Sequence, residues 1–263
     1  MLNKLLKYDL KYMLKNMSVF YILALFFAIL TRILFSLKES VMVNIISSIS
    51  AGCMISMIVN VLINTMMRSW IRFRDFIYKD EAYLTHTLPV TKNNIYNSQF
   101  IQTLIFFIVG FLVIVLSLFI TYYTHDRWIL LKEYINSITT GLNFSTAVFI
   151  ISMLMVIFLE VFNAIQCGFL GIILGHKRNN NKIAFSVLFG FVAYLLSQSI
   201  VLLLVFIFGL FNSNIMDLFN TNILLNANSF KLLMYLSIIL YLIIIIVMSI
   251  ICKKQFNKGV NIE

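Results

Sequence analysis

Six long apolar runs limit what this chain can fold into. They lie at residues 18–37, 41–67, 99–122, 144–175, 183–211 and 229–252. A helix needs roughly 20 residues to cross a hydrocarbon core of about 30 Å, and each run is long enough. The runs are continuously apolar and lack the alternation of a membrane-barrel strand. The sequence therefore predicts an all-α integral membrane protein, with six transmembrane helices in one transmembrane domain, residues 1–263.

The composition and the motifs exclude several classes of function. Hydrophobic residues make up 61% of the chain and charged residues only 11%, whereas soluble domains carry about 25% charged residues. The isolated cysteines indicate packing, and the three histidines fall in three different loops, so no metal or catalytic site is predicted. No GxxxxGK[ST] phosphate-binding loop occurs. We expect a chain that is not an enzyme and holds no cofactor of its own.

The basic residues predict the orientation, because cytoplasmic loops of membrane proteins are enriched in lysine and arginine. With the N-terminus in the cytoplasm, fifteen of the twenty basic residues fall on the inner side. Four basic and four acidic residues cancel on the outer side. The sequence thus places both termini and residues 68–98 in the cytoplasm. The net charge of +10 then reflects membrane topology, and nucleic acid is not an expected partner.

Residues 1–17 carry lysines at three- and four-residue spacing, which places Lys4, Lys7, Lys11 and Lys15 on one face of a helix. Leucine and methionine occupy another face. This pattern predicts an interfacial helix, with its apolar side at the headgroup boundary and its lysines facing anionic lipid. A solvated lead-in segment with ordinary positive-inside charge is the alternative.

Residues 68–98 form a polar segment between two strongly apolar runs and contain the only proline, Pro89. Helical periodicity continues beyond residue 67, so we expect the second span to extend out of the membrane. Asp80 can cap a short helix, EAYLTHTL, that Pro89 ends, and Thr91 can cap the next long helix. The predicted arrangement is a short transverse helix between two rods, with a solvated loop that has no partner as the alternative.

The string YKDEAYLTHTLPVTKNNIYNSQF resembles the cytoplasmic segment of bacterial ATP-binding-cassette (ABC) type-2 permeases. That pattern has an acidic pair, an aromatic residue, Leu-Thr-x-Thr-Leu-Pro and a polar start to the next helix. It matches this chain from Asp80 to Thr91. The N-terminal LLKYDLKYMLKN also resembles the elbow helix of that family. The family often has Ser-Lys where this chain has Ser98-Gln99.

The resemblance implies a subunit of an ABC exporter in the bacterial cytoplasmic membrane. Two six-span permeases, identical or paralogous, would join two ATPase subunits that bind ATP and Mg. The short helix between spans two and three would be the coupling helix that docks into the ATPase. The residues implied in docking are Asp80, Glu81, Tyr83, Leu84, Thr85, Thr87, Leu88 and Pro89.

Five residues inside the predicted spans are candidates for a substrate path or an intramembrane polar pair: Arg32, Asn60, Asn64, Glu160 and Asn163. Arg32 and Glu160 lie at similar depth, so we hypothesise that they pair or face one polar cavity. Alternatively, the Arg32 side chain snorkels to the outer interface. The asparagine faces either line a path or pack helices together. The motif Gly171-Ile-Ile-Leu-Gly175 favours close helix packing.

The substrate follows only from chemistry and resemblance. Mostly apolar spans suit an amphipathic cargo, and similar small permeases resemble exporters of peptide toxins, antimicrobial peptides or lipids; a drug is a further possibility. The alternatives are a non-transporting immunity or signalling subunit, and an ATP-independent channel or carrier. Residues 212–228 mix asparagine with apolar side chains, which is compatible with a re-entrant loop or with an ordinary surface loop.

Overall fold

A computed structural model describes residues 2–38, 40–79, 81–87, 89–141, 145–216 and 227–259. These residues form helices and contain no strand. The helices are α1 (Leu2–Ser36), α2 (Val41–Tyr78), α3 (Ala82–Thr87), α4 (Lys92–Tyr122), α5 (His125–Gly141), α6 (Thr146–Gly175), α7 (Lys182–Phe211), α8 (Ser213–Met216) and α9 (Ala227–Asn257).

The predicted all-α fold with six membrane-spanning helices is confirmed at the level of helix length and composition. In the described residues, α1, α2, α4, α6, α7 and α9 are each long and apolar enough to cross a membrane. Two of them, α2 and α4, extend beyond the predicted spans into the polar segment at residues 68–98. Helix α2 continues to Tyr78 and helix α4 begins at Lys92. Most of the polar segment therefore consists of extensions of these two helices.

The first helix differs from the expected division at residue 17. Residues 2–36 form one continuous helix of 35 residues, without a break between the predicted interfacial segment and the first span. The physical reason is local, because this stretch contains neither glycine nor proline and is rich in leucine, lysine and methionine, which favour helix.

The helices form two compact units, and the division falls between Arg127 and Trp128, inside α5. In the first unit, α1 packs along α4 and α2. Two clusters of buried side chains hold these three helices together, one of Met13, Met17 and Phe106 and one of Ala24, Val61 and Val113. The hydroxyls of Thr31 and Ser50, 2.8 Å apart, add a buried polar contact between α1 and α2.

In the second unit, α6 packs against α7 and α9. The α6–α7 contact is made at the GxxxG motif, where Gly171 and Gly175 lie directly against the backbone of Ser186 and Gly190. A methyl group on either motif glycine would fall inside van der Waals contact of that backbone. The sequence-based preference for helix packing at these glycines is therefore confirmed.

Candidate functional site

The short helix α3 has one buried and one exposed face. Ala82 and Thr85 are buried, whereas Tyr83 and Leu84 are 65% and 73% exposed. This division follows the helical period, because residues three apart share a face and the two residues between them point away. The Thr85 hydroxyl donates to the Glu81 carbonyl oxygen at 2.9 Å, which further fixes the inward face.

The residues predicted to dock differ in their exposure. Tyr83, Leu84, Thr87 and Pro89 are exposed, as a docking surface requires. Thr85 is buried, so it packs α3 onto the first unit and is not available for a direct contact. Two more of the predicted residues, Asp80 and Leu88, lie outside the described residues.

Glu81, immediately before α3, belongs to a network of ion pairs. Arg72 near the end of α2 donates from Nη1 to a Glu81 carboxylate oxygen at 2.7 Å. It also donates to Asp9 in α1, from Nη2 at 2.7 Å and from Nε at 3.2 Å. Arg72 is buried and Asp9 is fully buried, while the Glu81 side chain is 45% exposed. The Tyr12 ring lies against the Arg72 guanidinium, whose central carbon is 4.4 Å from the centroid of the ring.

The second oxygen of Asp9 binds α4. The Ser98 hydroxyl donates to it at 3.1 Å and the Gln99 amide at 2.9 Å. The carboxylate thus accepts four hydrogen bonds, about the number it can hold. We call Asp9, Arg72, Glu81, Ser98 and Gln99 the Arg72 network. It joins the start of α3 to all three long helices of the first unit.

Sequence analysis did not single out Asp9, although the sequence contains a signal for its buried contacts. Asp9, Met13 and Met17 recur at four-residue spacing, and all three are fully buried. An acidic residue in register with a buried apolar face must have a partner, because an unpaired buried charge is very costly. The pattern indicates that a partner exists, but not that it is Arg72, which lies 63 residues away.

A cleft of about 1030 Å³ lies between the start of α1, the end of α2 and α3. Lys7, Lys11 and Lys15, all exposed, line it on α1, and Leu84 lines it on α3. A basic helix face therefore lies beside the exposed apolar residues of α3. A partner with acidic and apolar side chains would complement this surface.

The residues predicted to line a substrate path fall in both units. Asn60 is exposed and Asn64 is half-buried, and the Asn64 amide donates to the Asn60 carbonyl oxygen at 2.9 Å. Arg32 is a half-buried residue of the first unit. Glu160 belongs to the second unit, and its pairing with Arg32 stays a prediction.

The second unit contains a polar cluster within its long helices. The Tyr241 hydroxyl on α9 donates to the Gln198 amide oxygen on α7 at 3.0 Å. Nearby, the Asn163 amide donates to the Ser197 hydroxyl at 2.8 Å, and both side chains are buried.

The described residues contain no group of three His, Cys, Asp or Glu side chains placed to hold a metal ion. The chemistry that these sites offer is binding through charge, hydrogen bonds and apolar contact. Comparison with known proteins finds no match among family models, curated proteins or solved structures.

Proposed function

We propose that this chain is the permease subunit of an ATP-driven ABC exporter, powered by a separate ATPase. It lies in a bacterial cytoplasmic membrane with both termini in the cytoplasm, and it pairs with a second permease subunit. The substrate is amphipathic, with a peptide toxin or antimicrobial peptide as the leading class. The observation that carries the proposal is a short helix with an exposed apolar face, held to three long helices by the Arg72 network.

The exposed face of α3 supports the docking step. Tyr83 and Leu84 point away from the first unit. They lie on α3, which follows the end of α2, and α2 itself continues beyond its apolar run. Large apolar side chains that are exposed to water are unfavourable, and a partner protein that covers them removes this cost. The lysines along the neighbouring cleft add charge that would orient an acidic surface of the ATPase.

The Arg72 network supports the transmission step. A docked helix can drive transport only if its displacement changes contacts in the membrane. Glu81 is held by Arg72, Arg72 is held by Asp9, and Asp9 is bound by two residues of α4. When ATP binding draws two ATPases together, a pull on α3 would act on α1, α2 and α4 as a group.

Docking is tested by replacing both Tyr83 and Leu84 with aspartate. The partner used is the ATPase encoded by the neighbouring gene. We expect the amount of this ATPase that co-purifies with the chain to fall roughly tenfold or more, because the substitutions bury charge in the centre of the interface. The control is Tyr134→Asp, since Tyr134 on α5 has a similar exposure of 71%. Undiminished co-purification of the double variant would contradict the docking role.

Transport is tested in the same preparation by ATP-dependent accumulation of labelled amphipathic peptides in inverted membrane vesicles. We expect accumulation with the native chain and little with the docking variant. A chain that binds the ATPase but accumulates none of the peptides would favour the immunity or signalling subunit. Accumulation that persists without any ATPase would favour a channel or carrier.

A further inference from the structure

An apolar groove runs between two helices of the second unit. Helix α6 packs closely along both α7 and α9, whereas α7 and α9 contact each other much less. Between them lies a groove of about 400 Å³, a size typical of ligand pockets. Its lining extends along α7 from Phe189 to Leu204, roughly 22 Å of helix at about 1.5 Å per residue. That length exceeds the depth of one lipid leaflet, about half of a 30 Å hydrocarbon core.

The groove has a buried floor and an exposed rim. Ala193 and Met248 line it and are buried, whereas Leu196 and Ile243 line it and are 59% and 49% exposed. The two rim residues belong to α7 and α9, which each have the length and composition of a membrane span. A hydrocarbon chain can therefore enter the groove sideways from the membrane.

The groove offers no free polar group to a ligand. Among the described residues, Ser197 is the one polar side chain that lines it. Its hydroxyl accepts from the Asn163 amide at 2.8 Å and donates to the Tyr194 carbonyl oxygen at 3.0 Å. Because this hydroxyl already has partners within the unit, the groove suits an acyl chain rather than a polar molecule.

Two basic segments meet at one end of the second unit. One follows α6 and the other ends α9, and together they carry Lys177, Arg178, Lys182, Lys253, Lys254 and Lys258. The Lys177 ammonium donates to the Gln255 amide oxygen at 2.8 Å, which joins the two segments. The sequence contains no Asp or Glu at 161–216 or at 227–259. This concentration of positive charge attracts an anion.

The groove leads directly to these basic residues. The Arg178 guanidinium lies over the Phe185 and Phe189 rings, with its central carbon 5.6 and 6.0 Å from their centroids, and Phe189 lines the groove. On α9, Ile251 lines the groove and Lys254 follows three residues later, on the same helix face. Arg178 and Lys254 are both exposed. A molecule in the groove thus meets hydrocarbon along its length and cationic groups at one end.

This combination selects an anionic phospholipid as the occupant. Basic pockets between membrane helices on the cytoplasmic side bind anionic headgroups, and the predicted orientation places this end of the unit in the cytoplasm. A second copy of the chain fits less well. Two copies inserted in the same direction would bring their basic ends to the same level, where like charges repel.

We propose that the groove binds an acyl chain of an anionic phospholipid from the inner leaflet, and that Arg178 and Lys254 bind its phosphate group. This site goes beyond the proposed export function and does not depend on an ATPase. The cation–π contacts with Phe185 and Phe189 hold the guanidinium at the mouth of the groove, where a phosphate can receive two parallel hydrogen bonds from it.

The test is photo-crosslinking of the full chain in nanodiscs of phosphatidylcholine. The probes are trace amounts of phosphatidylglycerol and phosphatidylcholine that carry the same diazirine midway along one acyl chain. Mass spectrometry of peptides locates the labelled residues. We expect the phosphatidylglycerol probe to label Leu196 and Ile243 roughly fivefold or more above the phosphatidylcholine probe, because basic residues near the membrane surface favour anionic lipid. Equal labelling by the two probes would overturn the proposal.

A pair of double variants tests the role of charge. We expect Arg178→Gln, Lys254→Gln to reduce labelling by phosphatidylglycerol to the level of phosphatidylcholine. The control, Lys7→Gln, Lys11→Gln, removes the same charge from the exposed lysine face of α1 and should keep the fivefold difference. If both double variants lose the difference, net charge rather than this site attracts the lipid, and the proposal is wrong.

A pair of single variants tests the groove without changing any charge. Ala193→Leu places a larger side chain on the floor of the groove, and we expect labelling of the rim by phosphatidylglycerol to fall severalfold. Ala184→Leu makes the same change at an exposed position of the same helix, outside the groove, and should label like the native chain. Undiminished labelling of Ala193→Leu would show that the lipid lies on the surface and not in the groove.

Two further results with the native chain would identify a different occupant and overturn the proposal. Displacement of the probe by excess glycerol phosphate would indicate a site for a soluble anion. Labelling that disappears in nanodiscs holding two copies of the chain would place a subunit interface in the groove. The lipid site and the exporter can fail separately, since a chain that transports with its ATPase but labels equally with both probes refutes only the lipid site.

Discussion

Replacing Arg72 with methionine is expected to destabilise the protein by about 3–5 kcal/mol, the usual cost of removing one partner from a buried ion pair. Asp9 would keep its hydrogen bonds from Ser98 and Gln99 but lose the guanidinium that neutralises it, which leaves the buried carboxyl either charged without a partner or protonated. Glu81 would also lose the contact that holds the start of α3. The measurement is the free energy of unfolding in detergent, from a denaturant titration of the purified chain.

The control for this substitution is two residues away in the same helix. Arg74 pairs with its neighbour Asp75 at 2.7 Å, but both side chains are about one quarter exposed, at 26% and 27%. We expect Arg74→Met to cost less than about 1 kcal/mol, because partly exposed ion pairs contribute little. Equal losses in the two arginine variants would show that the Arg72 network does not hold the first unit together.

The double variant Arg72→Met, Asp9→Asn separates charge from packing. Asparagine has nearly the shape of aspartate, so it can still accept from Ser98 or Gln99 without leaving a buried charge. We expect it to recover much of the stability lost in Arg72→Met, since residues within one network are strongly non-additive. Export should stay impaired, because α3 would no longer be tied to α1. Recovery of both properties would contradict a role for the network in transmission.

Gly171→Ala is expected to have the second large effect, at or above the usual range of about 1–3 kcal/mol for overpacking. The new methyl group would meet the Ser186 and Gly190 backbone, which cannot rotate aside as a side chain can. The only relief is separation of α6 and α7, which opens the most extensive helix contact of the second unit. The measurements are the yield of folded protein and its free energy of unfolding.

The facing glycine provides a matched control with the same chemical change. A Cβ atom on Gly190 would lie 3.5 Å from the Cys167 carbonyl oxygen and 3.5 Å from the Gly168 Cα, which is ordinary contact. We expect Gly190→Ala to fold with nearly native stability. If the two alanine variants behave alike, the close approach of α6 and α7 is not made at Gly171.

Several features of the fold could be read directly from the sequence. Hydropathy summed over roughly 20 residues locates a membrane span without knowledge of its neighbours, and the six long helices were found in this way. The extension of α2 towards Tyr78 and the start of α4 after Thr91 also follow from local helical patterns. The GxxxG motif indicated close packing because two glycines four residues apart let helix backbones approach closely.

The candidate sites depended on partners that no local pattern specifies. Thr85 was predicted to dock but packs inward, since the orientation of a six-residue helix is set by the surface beneath it. The predicted division at residue 17 follows the change in polarity along α1, whereas the helix itself is continuous from Leu2 to Ser36. Packing decided which face of α3 is buried, and helical propensity decided the continuity of α1.

The sequence by itself determined the class of protein, the positions of its membrane helices and the short helix between two of them. Only the tertiary structure decided that Asp9 binds Arg72 and that Asn163 binds Ser197. Spans are found from the free energy of transferring each residue into lipid, and these free energies add up along the chain. The partner of a buried charge depends on which helix faces meet, and helix packing brings together residues far apart in sequence.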